Sequence, residues 1–183
     1  MNRRPWIRVT GAALLAAVVG ISTPALAAHG SASASDLRTG YNALLAEHVF
    51  LAAAATNAAL GGRQAEFEAA AAALDGNSQD IATSIGSVYG ADAEKAFLPL
   101  WRKHIGMAVD YTVGLATKDK AKQDKAVADL IGYTQDFGAF LAAANPNLPK
   151  DAVAELVKHH VVTLKRVIDP QAAGDPAAAF AAL

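Results

Sequence analysis

Cysteine is absent from this chain of 183 residues, and methionine occurs only twice. The absence of cysteine excludes disulfide bonds, thiolate metal sites, iron–sulfur clusters and cysteine nucleophiles. The shortage of methionine excludes a Met-rich Cu(I) carrier. Charged residues make up only 18% of the chain, the net charge is -1, and no stripe of Lys and Arg interleaved with aromatic residues occurs. We therefore expect no nucleic-acid partner.

The N-terminal segment, 1–27, has the three parts of a secretory signal peptide. Arg3, Arg4 and Arg8 precede an apolar run over 11–21, and the small-x-small triplet at 25–27 predicts cleavage after Ala27. The run is shorter than the ~20 residues that a spanning helix needs. We predict a secreted or extracytoplasmic protein with no transmembrane anchor after cleavage. The adjacent Arg3 and Arg4 fit either a twin-arginine signal or a general secretory signal that contains two neighbouring arginines.

The remainder of the chain has the pattern of an all-α protein. Apolar residues recur three and four positions apart, alanine is abundant, and the alternation typical of strands is missing. Glycine and proline positions predict helices at about 35–60, 63–89, 92–118, 120–144 and 149–169, and a sixth beginning at about 176. Residues 28–34 are predicted as a flexible N-terminus and 35–183 as a single domain. The predicted core includes the helically spaced aromatic residues Phe50, Phe67, Phe97, Trp101, Phe137 and Phe140.

An internal repeat is indicated by the spacing of the histidines. His48, His104 and His160 recur at equal intervals along the chain, and every one has Leu four positions before it and Val or Ile directly after it. The same offset pairs Leu74 with Leu130 and Ser78 with Thr134. This periodicity predicts three copies of one helical hairpin, the third of them truncated at the end of the sequence.

Three such hairpins predict an up-and-down helical bundle, because an isolated amphipathic hairpin cannot bury its own apolar face. A complete third copy would continue its second helix for ~20 residues past Leu183, a length typical of a stable packed helix. The truncation therefore predicts an open groove beside the sixth helix. We expect this groove to take part in self-association or to bind a partner helix.

The repeated histidines are the main candidate for chemistry. Helices that carry them would run in the same direction, so His48, His104 and His160 are predicted at a similar depth. Glu47 adjoins one histidine, and counting across the 61–62 turn brings Asp75 to the same level. We therefore predict a metal site formed by these five residues. Nitrogen and oxygen ligands of this kind suit Cu(II), Zn, Fe or Mn.

Four further residues are predicted to orient these ligands: Asn77, Asp110, Tyr111 and His159. The competing interpretation is structural, because a buried helix histidine paired with an acid satisfies its hydrogen bonds without any metal. The helical metal signatures Glu-x-x-His on two helices and His-Glu-x-x-His are both missing from the sequence.

Five short motifs follow one another along the predicted helices. They are AEHV at 46–49, ALDGN at 73–77, SVYG at 87–90, HIGMAVDY at 104–111 and HHV at 159–161. Together they resemble a family of secreted bacterial all-helical proteins of unknown function, some of which are fused to a copper-amine-oxidase-type N-terminal module. The resemblance covers about residues 37–175 and implies an exported helical fold without a specific activity. It also implies departures here, since family members carry Glu in place of His159 and a His-Met pair on a longer last helix.

Two functional hypotheses follow from the sequence. The first is an exported helical bundle that binds a metal ion through the repeated histidines. The second is a non-enzymatic interaction or structural module of the envelope or exterior, in which the histidines make structural hydrogen bonds. Neither a nucleophile elbow nor a Gly-rich phosphate loop is recognisable, so the sequence favours a protein that is not an enzyme.

Overall fold

The computed structural model describes residues 33–183, which form six α-helices and, within that range, no strand. They are α1 (Ala34–Leu60), α2 (Gln64–Tyr89), α3 (Ala91–Ala116), α4 (Lys120–Ala144), α5 (Lys150–Ala173) and α6 (Pro176–Ala182). The prediction of an all-α protein is confirmed. The predicted signal peptide, residues 1–27, lies outside the described residues, as does most of the predicted flexible segment 28–34.

The helix ends follow local capping chemistry. Ser33 and Asp36 form a reciprocal capping box at the start of α1, and Asp175 accepts a hydrogen bond from the backbone of Ala178 at the start of α6. The predicted end of the fifth helix at residue 169 is wrong, because α5 continues through Pro170 and ends at Gly174 in a left-handed conformation (φ 73°). A proline near a helix end removes only one backbone hydrogen bond, and the burial of the preceding turn keeps the helix intact.

The helices pack as an up-and-down bundle with an inner and an outer layer. The short turns make consecutive helices antiparallel neighbours. The odd-numbered helices α1, α3 and α5 contact one another and form the inner layer. In the outer layer, α2 lies against both α1 and α3, and α4 lies against both α3 and α5. The short α6 packs on α5, and its Phe180 faces the same surface cavity as Phe50 of α1.

The outer helices begin at regular intervals along the chain. Their first residues, Gln64, Lys120 and Pro176, are separated by the same interval as the three repeated histidines. Each helix begins to cover the groove between two inner helices, although α6 ends after seven residues. Along the remainder of the α1–α5 groove, no outer helix from residues 33–183 is present. The internal repeat itself remains a prediction.

The main core lies between α2, α3, α4 and α5. Phe97, Trp101 and Phe137 are buried in it together with Ile81 and Tyr133. Gly138 permits the close approach of α4 to the start of α5, since a Cβ there would lie 2.5 Å from the carbonyl oxygen of Lys150. The packed aromatic residues confirm most of the predicted core.

Phe50 is the exception among the predicted core residues, because 63% of it is exposed. Its side chain lies on α1 beside the groove that α6 covers only at one end. The helical periodicity correctly predicted an inward-facing stripe on α1. In residues 33–183 no element packs over this part of the stripe, so the phenyl ring remains at the surface.

One helix of the described part of the chain, α1, is long and apolar enough to cross a membrane. Length and composition alone do not show that α1 crosses a membrane, so the absence of a transmembrane anchor after cleavage stays a prediction. The same features suit a signal sequence or the core helix of a soluble bundle. In the bundle, α1 packs against α2, α3 and α5 and carries His48 into the interior.

Candidate metal centre

Three histidines from the three inner helices meet inside the bundle. His48 lies on α1, His104 on α3 and His160 on α5. The ring centroids of His48 and His104 are 5.5 Å apart, and those of His48 and His160 are 6.3 Å apart. The prediction that these three residues lie at one depth is confirmed. We refer to them as the histidine cluster.

The cluster has nearly the dimensions of a metal site. One ring nitrogen from each histidine can be chosen so that all three lie within 4.8 Å of one another. In a tetrahedral site with metal–nitrogen bonds of about 2.0–2.1 Å, the nitrogens are about 3.4 Å apart. Small side-chain rotations would close that difference. Three histidines leave a fourth coordination position open, as in catalytic rather than structural zinc sites.

Burial keeps the histidine cluster in the neutral form that binds metal ions. Desolvation, followed by the charge of His160, lowers the pKa of His48 to about 4, and the Asn77 side chain opposes this change. Desolvation, followed by His48 and His160, lowers the pKa of His104 to about 3. The pKa of His160 is also lowered, first by desolvation and then by His159. At neutral pH, binding of a cation would therefore displace no proton from the two most buried rings.

Hydrogen bonding leaves part of the cluster unpaired. The Nδ1 atoms of His48 and His104 are buried and have no hydrogen-bond partner among residues 33–183. Buried polar atoms are normally paired, and an unpaired one costs about 1–3 kcal/mol. The arrangement is therefore costly for the folded chain, and an ion bound through Nδ1 would remove the cost at that ring.

Glu47 and Asn77 lie beside the cluster, although neither completes it. Asn77 is buried on α2 and donates hydrogen bonds from Nδ2 to the Leu44 carbonyl at 3.0 Å and to Glu47 Oε2 at 2.8 Å. The Glu47 side chain is exposed and is held by this amide. Asn77 thus lies where an orienting residue was predicted. The Glu47 carboxylate is not among the atoms that the structure brings together with the three histidines.

The structure does not bring Asp75 to the histidines, so its predicted position is corrected. Its carboxylate accepts hydrogen bonds from Arg102 Nε at 2.6 Å and Nη2 at 2.7 Å, and from Gln79 Nε2 at 2.9 Å. This bidentate pair, on the outer surface between α2 and α3, lowers the pKa of Asp75 through the hydrogen bonds from Arg102. Counting residues across the turn predicted the level of Asp75 but not the side of α2 on which it lies.

Asp110, Tyr111 and His159 also lie apart from the cluster. Asp110 is exposed and forms an ion pair with Lys122 at 2.9 Å. Tyr111 is buried but donates its hydroxyl hydrogen bond to Asp169 Oδ1 at 2.6 Å, in a second core between α3, α4 and α5. His159 is exposed beside His160. None of the three contacts the histidine cluster as predicted. His159 affects the cluster only by helping to lower the pKa of His160.

Two aromatic residues surround the cluster: Trp101, which the sequence placed only in the core, and Tyr133, which was not among the predicted core residues. The Trp101 ring centroid is 4.5 Å from that of His104 and 5.0 Å from that of His48, and the Tyr133 ring is 5.2 Å from His104. Trp101 lies three residues before His104 and therefore on the same helix face, so the sequence could have predicted that the two rings are neighbours. Tyr133 follows Asn77 by the interval that separates the repeated histidines, so the repeat spacing also pointed to it.

All three histidines line one large cleft. It has a volume of about 590 Å³ and opens between α1 and α5. Its walls are apolar and aromatic, and no charged side chain of residues 33–183 lines it. A cleft of this size, mostly apolar with a few converging polar groups, is typical of a small-molecule site.

Comparisons with known proteins add no family to this geometry. The chain matches no protein-family model, no curated protein and no solved structure. The resemblance to secreted helical proteins therefore remains a prediction that depends on the five sequence motifs.

Proposed function

We propose that this protein is an exported helical bundle that binds a divalent transition-metal ion through His48, His104 and His160. Imidazole ligands suit Cu(II), Zn and Fe, and the chain has no thiolate to compete for them. The observation that carries the proposal is the convergence of one nitrogen from each inner helix within 4.8 Å. Bundles commonly form metal sites from side chains on facing helices.

Two properties of the cluster support this assignment over a purely structural role. The histidines are neutral at physiological pH because of their burial, so the metal-binding form is already present. Neither Nδ1 atom makes a hydrogen bond of normal geometry to a carboxylate or carbonyl of the described residues. The Asn77 side chain and the Trp101 backbone nevertheless lie near enough to oppose the lowering of the His48 and His104 pKa values. Export rests on the residues 1–27 pattern alone, and N-terminal sequencing of the protein released from its native host tests it.

Tryptophan fluorescence offers a direct test of metal binding. The chain has two tryptophans, so Trp6→Phe leaves Trp101 as the sole reporter, with its ring 4.5–5.0 Å from two of the proposed ligands. We expect Cu(II) to quench this fluorescence at one equivalent. Zn at 100 times its Kd should raise the free energy of unfolding by about 2.7 kcal/mol.

The controls separate the cluster from other histidines. In the Trp6→Phe background, His48→Leu and His160→Gln should each weaken metal binding at least 100-fold, with the helical circular dichroism retained. His159→Gln removes an exposed neighbouring imidazole, and His29→Gln removes one near the predicted mature N-terminus. Both should bind like the parent. Quenching that disappears in His29→Gln but survives in His48→Leu would contradict the proposal.

A second candidate function, an interaction module, is supported by exposed apolar side chains along the α1–α5 groove. Phe180, Leu156 and Phe50 are 75%, 72% and 63% exposed. They come from the three helices that border the partly covered groove. Phe50 and Phe180 line one surface cavity, and exposed apolar surface of this kind marks sites of association.

Solution mass tests this second candidate. We expect the chain to self-associate in light-scattering measurements at micromolar concentration, and Leu156→Lys together with Phe180→Lys to return it to a monomer. A matched substitution, Ile131→Lys on α4, alters an exposed apolar residue away from this groove and should leave the mass unchanged. A monomeric parent chain would contradict the candidate.

A further inference from the structure

The cleft above the histidine cluster has polar groups as well as apolar walls. Besides the two imidazoles, the Trp101 indole nitrogen and the hydroxyls of Tyr41 and Tyr133 are buried without a hydrogen-bond partner among the described residues. All of these side chains line the cleft, and His48, His104, Trp101 and Tyr133 are each at least nine-tenths buried. The unpaired atoms themselves have almost no accessible surface, so an occupant of the cleft would reach them only after these rings rotate towards it.

The chemistry of these groups defines the polar part of the occupant. The indole N–H only donates hydrogen bonds, and the two phenols can donate as well. Both phenols are protonated at neutral pH, because a phenol ordinarily loses its proton only at about pH 10. After such a rotation, acceptor oxygens of an occupant would pair with these donors, whereas an ammonium group, which only donates, would not.

The charge of the site points to the same group. A divalent ion held by three neutral imidazoles would bring two positive charges into the cleft. No carboxylate of residues 33–183 lines the cleft to balance them. A buried charge without compensation is costly, so an anionic oxygen ligand in the open coordination position would be strongly favoured.

The apolar part of the occupant follows from the walls. Tyr89, Phe97 and Phe137 line the cleft together with Trp101 and the two unpaired tyrosines. These rings offer flat faces and edges against which another ring can stack. An aromatic body therefore fits the walls better than a flexible polar one.

From these observations we infer that the cleft binds a small aromatic carboxylate or phenolate, whose anionic oxygen completes the coordination of the metal held by His48, His104 and His160. This inference rests on the proposed function. It adds the chemical class of an exogenous ligand and predicts that metal and organic ligand bind cooperatively.

Calorimetry with 2-naphthoate tests the inference, after Zn binding has been measured by itself. We expect 2-naphthoate to bind the Zn-loaded chain at least 10-fold more tightly than the metal-free chain. The neutral isostere 2-naphthamide should bind the Zn-loaded chain at least 10-fold more weakly than 2-naphthoate. Equal affinities for the loaded and metal-free chains, or for the acid and the amide, would overturn the inference.

A variant at the mouth of the cleft locates the site. Leu45 lines the cleft and Val162 does not, although both are 41% exposed. Leu45→Trp should weaken 2-naphthoate binding at least 10-fold without altering Zn affinity, and Val162→Trp should alter neither. Unchanged naphthoate binding in Leu45→Trp would contradict the assignment of the cleft. A second copy of the chain that occupies the cleft, and that dissociates in Leu45→Trp, would contradict it as well.

The two proposals fail in different ways. Zn binding that depends on the histidine cluster, without any naphthoate binding, would overturn the ligand inference and leave the proposed function intact. An absence of Zn binding would overturn the proposed function and, because the ligand inference requires the metal, the inference as well.

Discussion

Buried polar groups have hydrogen-bond partners at one level of the bundle and lack them at another. At the ends of the inner helices, Thr56 donates to Gln171 Oε1 at 2.7 Å, Gln171 donates to the Ala53 carbonyl at 3.0 Å, and Tyr111 donates to Asp169. We call this level the helix-end layer. At the histidine cluster, the same three helices present polar atoms without partners in residues 33–183.

This contrast distinguishes structural polar residues from residues available to a ligand. Paired polar groups in the helix-end layer fix how α1, α3 and α5 pack, and their hydrogen bonds offset the cost of desolvation. The groups of the histidine cluster incur that cost without the compensation. Within one fold, the level that is less favourable for stability is therefore the level where binding is expected.

Acid should expose this difference most strongly. The pKa values of His48 and His104 are lowered to about 4 and about 3 from an ordinary 6.5, so below pH 6.5 the unfolded chain binds protons that the folded chain does not. The free energy of unfolding of the metal-free chain should therefore fall as the pH is lowered from 6.5 towards 4. With these two groups, and a further contribution from His160, whose pKa is also lowered, the slope approaches about 3 kcal/mol per pH unit near pH 5.

Urea unfolding of the metal-free chain at several pH values measures this slope. His104→Leu removes one of these groups, so it should reduce the slope near pH 5 by about 1 kcal/mol per pH unit. At pH 7 the same variant should be at least as stable as the parent, because it removes an unpaired buried polar atom. An unchanged slope would mean that His104 does not titrate as its burial requires.

Two buried tyrosines form a matched pair with an effect of intermediate size. Tyr111 and Tyr133 are 5% and 2% exposed, but only Tyr111 has a hydrogen-bond partner for its hydroxyl among the described residues. Tyr111→Phe breaks a hydrogen bond to a carboxylate and should lower the free energy of unfolding by about 1–2 kcal/mol. Tyr133→Phe should change it by less than about 0.5 kcal/mol or raise it.

Thermal or urea unfolding of the two variants at pH 7 decides between equal and unequal roles. If both substitutions destabilise the chain equally, the distinction between the helix-end layer and the histidine cluster is wrong. Zn affinity provides a further control, because neither tyrosine is a proposed metal ligand. Both variants should therefore retain Zn affinity within a factor of about two, a difference of about 0.4 kcal/mol.

The sequence was informative about depth along the helices and uninformative about direction around them. Glycine and proline positions predicted nearly every helix end, and the equal spacing of His48, His104 and His160 predicted that these three residues meet. Successive residues of a helix are separated by about 100° around its axis. Asp75 and Asn77 therefore lie at almost the same level but about 200° apart, and only Asn77 faces the interior.

The same geometry explains Asp110 on α3, whereas Tyr111 shares the helix face of His104 but lies two turns further along α3. Asp110 follows His104 by six positions, which is about 120° away from it around the helix axis. The repeat predicts which residues of different helices lie at the same level. Which of these residues face one another depends on how each helix is rotated about its axis in the bundle. That rotation is set by the packing of Trp101 on α3 against Phe137 on α4 and Ile81 on α2, which involves three helices at once.

The smallest effect is expected at the surface pair that replaced a predicted ligand. Asp75 and Arg102 form a bidentate ion pair, but their side chains are 45% and 44% exposed. Exposed pairs contribute about 0–1 kcal/mol, so Asp75→Asn should lower the free energy of unfolding by less than about 1 kcal/mol and less still at high salt. Zn affinity should not change, because the carboxylate faces Arg102 and not the histidines. A 100-fold loss of Zn affinity in this variant would restore Asp75 as a ligand and would require α2 to rotate on metal binding. The distinction between hydrogen-bonded polar groups at the surface and unpaired polar groups at the histidine cluster would then no longer hold.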